Sequence, residues 1–341
     1  MEARGRGDWA TADALKAQIE AAGWRIVDHG NRTSVSPAAP ATVDVSGEQR
    51  YGSAAAVPSL LDEPATTPWT VVILASEQPD RVSRLLNALR AHAPAGTGVV
   101  LVANDPSEAQ AAALVAQSAD RAPIGGALPE VLRTSTRLGY AAALNIGLRR
   151  AGGEFVLLAD GSAWPTGDAL SPLAAALHDP AVAAAGGFGL AAAEPGPLRP
   201  NALDRMKSAA ATTAAAETTA LEGAWLAFRR SDYRDLGSLD EHFVTPAWLD
   251  LWWTLRLRAG EEPEGAEYVE PEGDAESGES AAPESATAEP PRIEMPAPRR
   301  AVLLELPLAR DEVAWPPDRS RLNRRNMYRV LDRFGWREDL A

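Results

Sequence analysis

The sequence predicts an α/β fold built on a mostly parallel sheet with helices on both faces. Three observations carry this. Apolar runs of strand length stand at Thr70–Ala75, Gly98–Ala103 and Glu154–Ala159. Helical patterns separate them, with Val82, Leu85, Leu86 and Leu89 on one face of Asp80–His92. Connections of that length between buried strands make βαβ units, and hence parallel pairing.

In order along the chain, residues 9–22 read as an amphipathic helix through Ala12, Leu15, Ile19 and Ala22, capped by Asp8 and stopped at Gly23. Trp24–Val27 reads as a strand, so 1–33 forms a small accessory module. Residues 34–67 are rich in Ser, Pro, Ala and Gly and are expected to be a flexible linker. The main domain spans 68–259, with helices at 80–92, 108–119 and 140–151 and a short strand at 131–133. Residues 260–299 mix Glu, Pro, Ala, Ser and Gly, a composition that buries too little surface to offset ordering, and are expected to be disordered. Residues 300–341 return to the domain with a strand at 301–306 and a basic amphipathic helix over 318–335.

Composition narrows the function. At 341 residues and 45% hydrophobic the chain can build a core, and with no cysteine it has no disulfide, thiolate nucleophile or cysteine-held metal. The four histidines show no metal-ligand spacing. The net charge of −14 sits largely in 261–291, which hold 11 acidic and no basic residues. That argues against nucleic acid as a partner. No signal-peptide pattern opens the sequence, and Ala181–Ala193 is too short to span a bilayer. The expectation is a soluble, cytoplasmic protein. The basic C-terminal helix offers peripheral contact with anionic lipid, and a solvated face packed on the domain is the plainer reading of it.

In parallel sheets ligands bind beyond the carboxyl ends of the strands. The ends here are Ser76-Glu77-Gln78, Asn104-Asp105 and Asp160-Gly161-Ser162. There is no Walker loop, and the GxGxxA at Gly187–Ala192 follows no strand-to-helix transition, which disfavours a dinucleotide enzyme.

Several segments are similar to the family 2 glycosyltransferases. Arg137-Leu138-Gly139-Tyr140-Ala141-Ala142-Ala143-Leu144-Asn145-Ile146-Gly147-Leu148 resembles that family's N-L-G-F-A-x-A-x-N-x-G-L. Asp160-x-Ser162 with Pro165 stands at its D-x-D, Leu221–Arg230 at its G-A-x-L-x-x-R-R, and Leu239–Phe243 at its F-D-E-x-F. Leu249–Arg258 occupies its E-D-x-D-x-x-x-R-x-R helix. The order and spacing hold over about 190 residues.

The resemblance implies a GT-A Rossmann-like fold and transfer of a sugar from a nucleotide-sugar to a glycan or lipid-linked acceptor. Asp250 is then the general base, and Ser76, Glu77, Asn104, Asp105, Gly139, Asn145 and Asp160 border the donor. Asp160 and Ser162, with Asp311 (or Glu312) in place of a late histidine, hold Mg²⁺ or Mn²⁺, and Gly223, Trp225 and Trp248 face the acceptor. A divalent ion neutralises the departing diphosphate, and a base takes the acceptor proton. Three positions depart from the pattern: Ser162, Leu249 and Trp252 replace acidic residues, which keeps open a scaffold that has lost transfer. A nucleotidyltransferase is disfavoured, because no Lys- and Gly-rich phosphate loop opens the first βα unit. The segment Asp8–Lys16 resembles the C-terminal helical module of cysteinyl-tRNA synthetases, implying a protein-docking element.

Overall fold

The structure is a computed structural model describing residues 15, 18–19, 24–28, 33–37, 41–191, 198–210, 215–260, 297–311, 320–335 and 337–340. Most of the helix expected at 9–22, nearly all of the 260–299 insert and Glu312 lie outside these residues.

The strands in chain order are β1 (Trp24–Asp28), β2 (Thr33–Pro37), β3 (Thr42–Val45), β4 (Glu48–Tyr51), β5 (Thr67–Leu74), β6 (Thr97–Ala103), β7 (Glu130–Thr134), β8 (Gly153–Ala159), β9 (Ala163–Pro165), β10 (Val182–Gly186), β11 (Phe188–Ala191), β12 (Lys207–Ala210), β13 (Ala215–Thr218), β14 (Ala220–Leu221), β15 (Trp225–Arg229), β16 (Arg300–Leu304) and β17 (Leu308–Arg310). The helices are α1 (Pro79–His92), α2 (Glu108–Asp120), α3 (Tyr140–Arg149), α4 (Leu170–Leu177), α5 (Pro200–Leu203), α6 (Arg230–Leu236), α7 (Leu249–Ala259) and α8 (Arg321–Phe334).

Ten strands form the main sheet in the order β13-β16-β10-β15-β8-β5-β6-β7-β4-β3. β8, β5, β6, β7 and β4 are parallel to their neighbours within that block. β15 runs against both β8 and β10, and β13 and β3 are antiparallel at the edges. The two faces sort by the period-two alternation of strand side chains. Along β5, Val71 and Ile73 join the core beneath α1 and α4, whereas Val72 joins the core beneath α3 and α7. α1 buries Val82, Leu85, Leu86 and Leu89, the stripe its spacing predicts. α3 approaches closely because Gly147 carries no side chain: a Cβ there would stand 2.5 Å from Val72 Cγ1 and 2.9 Å from Val102 Cγ2.

The linker expected over 34–67 is corrected. β3 and β4 form a hairpin that adds two strands to the sheet, with β4 parallel to β7. Its turn is Ser46-Gly47, both with positive φ (57° and 82°), the geometry whose twist matches a tight hairpin. The strand expected at 24–27 is present and pairs with β2, inside the same expected linker.

Candidate active site

β15 places its first residue, Trp225, opposite Ala159, the last residue of β8. The loop before β15 (Glu222-Gly223) therefore lies beside the turn after β8 (Asp160-Gly161-Ser162). α7 then enters from the far side. Trp248 precedes it with φ 70° and ψ −3°, a left-handed conformation that bulky residues rarely adopt. That backbone turns Asp250 inward from the first helical turn.

The result is a cavity of about 490 Å³ lined by both Asp160 and Asp250, together with Tyr140, Glu222, Trp248 and Arg310. Two carboxylates ninety positions apart in the chain face one space.

Asp250 Oδ2 accepts from Gly223 N at 3.1 Å and Oδ1 from Leu251 N at 2.9 Å. Burial pushes its pKa up to about 6, these hydrogen bonds oppose the rise, and the nearby Glu222 charge adds to it. Asp160 is exposed to the cavity, and its Oδ1 accepts from Ser162 N (2.7 Å) and Ser162 Oγ (2.6 Å). The turn requires Gly161 at φ 82°. Tyr140 is held in its neutral form, chiefly by burial and then by the Asp160 and Asp250 charges.

Sequence reasoning passed over Tyr140, Glu222 and Arg310. Glu222 accepts from Arg310 Nη2 at 2.8 Å and from the Ser208 hydroxyl. Arg310 reaches the site because β17 pairs with β9, setting Arg310 opposite Ala163, and its guanidinium lies 4.2 Å over the Phe188 ring. Tyr140 and Glu222 stand inside segments the sequence singles out. Only the pairing across 88 residues marks Arg310, and no local spacing records it.

Of the expected acceptor residues, Gly223 and Trp248 line the cavity. Trp225 does not: its side chain is fully buried in the opposite core layer, because strand alternation turns it away from the cavity. The expected donor residues divide. Asn104 is buried, with Oδ1 accepting from Leu138 N at 2.8 Å and Nδ2 donating to Leu138 O at 3.1 Å. Asn145 is buried too: its Oδ1 accepts from Tyr233 Oη and Leu239 N, and its Nδ2 donates to Leu239 O and Glu241 Oε1. Both fix loops and neither lines the cavity. Gly139 caps α3 against Val244, Glu77 pairs with Arg137 in the open at 2.9 Å, Asp105 is exposed, and Ser76 Oγ is buried without a partner. These four also lie outside the cavity lining.

The oxygen set expected to hold a divalent ion does not fit one. Asp311 is paired with Arg84 Nη2 (2.7 Å) and Arg81 Nε (2.9 Å), and Arg84, followed by Arg81, lowers its pKa. The Ser162 hydroxyl donates to Asp160 rather than offering a second carboxylate. Among the described residues no group of three or more acidic or imidazole side chains is arranged to hold a metal. The other carboxylates of the cavity are already engaged, Glu222 with Arg310 and Asp250 with the Gly223 and Leu251 N–H groups, so Asp160 has no uncommitted second carboxylate beside it for a hard dication.

Residues 70–237 match the model of the family described as Glycosyl transferase family 2. Over that span the chain is similar to the family 2 glycosyltransferases. The fold is shared with the solved GalNAc-T7, crystallised with UDP, GalNAc and Mn²⁺, at 13% identity and TM-score 0.53, over 80% of this chain and 48% of that one. This bears out the expected GT-A architecture. Further similar structures are the Pyrobaculum calidifontis mannosyltransferase PcManGT with GDP-Man and Mn²⁺ (22% identity, 59% of this chain and 56% of that one, TM-score 0.42) and S. aureus TarS 1–349 with UDP-GlcNAc (18%, 56% and 53%, 0.40). The chain spans about half the length of these proteins. No curated protein sequence matches it. Among the described residues no helix is long and apolar enough to cross a membrane.

Proposed function

We propose that the domain transfers a sugar from a nucleotide-sugar to an acceptor hydroxyl with inversion, Asp250 acting as general base. The observation that carries this is the shared cavity of Asp160 and Asp250, with Asp250 raised to about 6. A base of that pKa is ionised at neutral pH yet takes up a proton readily. The acceptor O–H gives its proton to Asp250, its oxygen bonds the anomeric carbon, and the bond from that carbon to the diphosphate breaks. The nucleoside diphosphate leaves with the electron pair. Asp160 borders the donor sugar, and Trp248 and Gly223 border the acceptor, a glycan or lipid-linked alcohol. No step runs through a divalent ion, for the reason given above. The test is calorimetry with UDP and GDP, followed by transfer assays on the nucleotide-sugar that binds. No heat with any common nucleoside diphosphate, with or without Mn²⁺, defeats the reading.

A second reading is a scaffold that keeps the architecture without transfer. It is favoured by Trp252, which stands where the family pattern has an aspartate and packs its ring against Phe243, Trp253 and Phe334. Retained nucleotide binding with no transfer to any acceptor in a broad screen would select it. Peripheral lipid contact through α8 rests on its exposed Arg321, Leu322, Arg325 and Tyr328. Co-sedimentation with anionic vesicles that is unchanged by Arg321→Glu/Arg325→Glu would reject it.

A further inference from the structure

The cavity is polar at its mouth and apolar at its base, and each element that reaches it contributes to both levels. On α3, Tyr140 is half-buried and Leu144, four residues on, is buried. On α7, half-buried Asp250 is followed three residues later by Trp253, which is 1% exposed. Residues three or four apart share a helix face, so both helices set a polar group above an apolar one. The sheet repeats the arrangement. Asp160 is exposed, while Leu158, two residues before it, stands opposite Leu226 on β15, and both leucines are buried. Leu144, Leu158, Leu226 and Trp253 carry one polar atom between them, Trp253 Nε1, which is buried without a partner. An indole N–H only donates, so these side chains can satisfy at most one oxygen.

A pyranose that carried its hydroxyl to Asp250 would press its other hydroxyls onto this base, and an unpaired buried hydroxyl costs binding. A hydrocarbon body leaves nothing unpaired there and gains from burial. At about 490 Å³ the cavity has room for one of drug size. The apolar character also continues outward. Ser320 and Asn323 line the lip, and Leu322 between them is 46% exposed beside exposed Arg321.

We propose that the acceptor is an aryl or alkyl alcohol whose apolar body fills the base while its O–H meets Asp250 at the mouth. The inference rests on the sugar-transfer reading of the same cavity, and narrows it by excluding a sugar as the carrier of the reacting hydroxyl. The step is unchanged. The O–H proton passes to Asp250, the oxygen bonds the anomeric carbon, and the nucleoside diphosphate leaves with the electron pair of the broken bond.

The test uses the full chain, the nucleotide-sugar that calorimetry selects, and para-alkylphenols from methyl to hexyl beside methyl glucoside. The phenols' kcat/KM should rise about three- to fourfold per methylene and level off once the base is filled. Methyl glucoside should react about a hundredfold less well, the cost of two unpaired hydroxyls. Leu144→Phe should shorten the chain length at which the rise levels off, a shift that lost stability alone does not produce. Should that variant fail to fold, Ala247→Leu at the half-buried lip replaces it, and calorimetry of the parent with para-hexylphenol should show a negative heat-capacity change. Dodecanol in anionic vesicles distinguishes the sources. Faster transfer to it assigns a membrane alcohol, faster transfer to the phenols a free one, and both uphold the class. A glucoside that matches the phenols, rates flat with chain length, or a Leu144→Phe profile identical to the parent's overturns the proposal while leaving sugar transfer standing. So does transfer to none of these alcohols. Absence of nucleoside diphosphate binding overturns both.

Discussion

Two rims of the same sheet edge carry the segments that resemble one family, and they use their polar residues differently. On the rim formed by β6, β7 and α3, Asn104 and Asn145 are buried, and their amides are spent on the loops at 138 and 239. On the rim formed by β8, β15 and α7, Asp160 and Asp250 face a common cavity. A motif position is therefore no guide to whether its side chain touches a ligand. Both pairs bond neighbouring backbone, and what separates the rims is what remains. The amides, with donors and acceptors together, are satisfied on both sides by loops; the carboxylates only accept, and they keep lone pairs toward the cavity.

The largest effect expected is Asp250→Asn. Removing a general base should lower turnover by about 10²- to 10⁴-fold. Donor binding should persist, because the Asn amide oxygen can still accept from Gly223 N. Single-turnover transfer beside nucleotide calorimetry separates the two. Loss of binding in step with turnover would move Asp250 from the reacting centre to the donor pocket.

Next comes Asn145→Ala, the matching change on the other rim. It strips four hydrogen bonds from a buried position and should cost about 3 kcal/mol in urea unfolding, since stranded polar groups are expensive. Turnover per folded molecule should fall little. A dead but fully stable variant would mean that the rims are less distinct than their contacts imply.

How far the sequence reaches follows the same division. β5, β6 and β8 were legible because buried parallel strands are continuous apolar runs, and their polar ends led directly to Asp160. The hairpin of β3 and β4 was hidden by edge-strand chemistry. Its residues alternate with Asp44, Glu48 and Arg50 on solvated positions, and such composition reads as linker. Ser46-Gly47 between alternating residues was the signal available. Arg310 was not legible at all, since its place depends on a strand pairing (β17 with β9) that local pattern does not encode. Trp225 was misplaced because alternation along β15 can be phased only once the register against β8 is known.

The pH response sharpens the comparison with a smaller effect. Asp250 titrates near 6 in the folded chain and near its ordinary 3.8 when unfolded. The folded chain then binds the extra proton between those values, so its stability is greatest at the acid end and is lost as pH rises through 6. Allowing for the solvent that reaches the cavity, the loss is about 1 to 2 kcal/mol. Transfer runs the opposite way, rising through the same pH because the base must be ionised. Asp250→Asn should flatten the stability difference between pH 4 and pH 7. An unchanged slope would place the titration on another group.

The smallest effect lies at the lip of the cavity, where the two uses of polar residues meet. Asn326 on α8 is 2% exposed, and its Nδ2 donates to Thr245 Oγ1 and Ala247 O, both at 3.0 Å. Thr245 Oγ1 in turn donates to Asn323 Oδ1 at 2.9 Å, and Thr245, Ala247 and Asn323 all line the cavity. Asn326 thus belongs with Asn145 in chemistry and with Asp250 in location. Asn326→Ala should cost about 1 kcal/mol of stability. It should also raise KM for the acceptor severalfold with little change in donor affinity, because the freed 245–247 loop leads directly into the strained backbone of Trp248. If donor affinity falls instead, the loop closes over the nucleotide and the boundary between the rims must be redrawn on the α8 side.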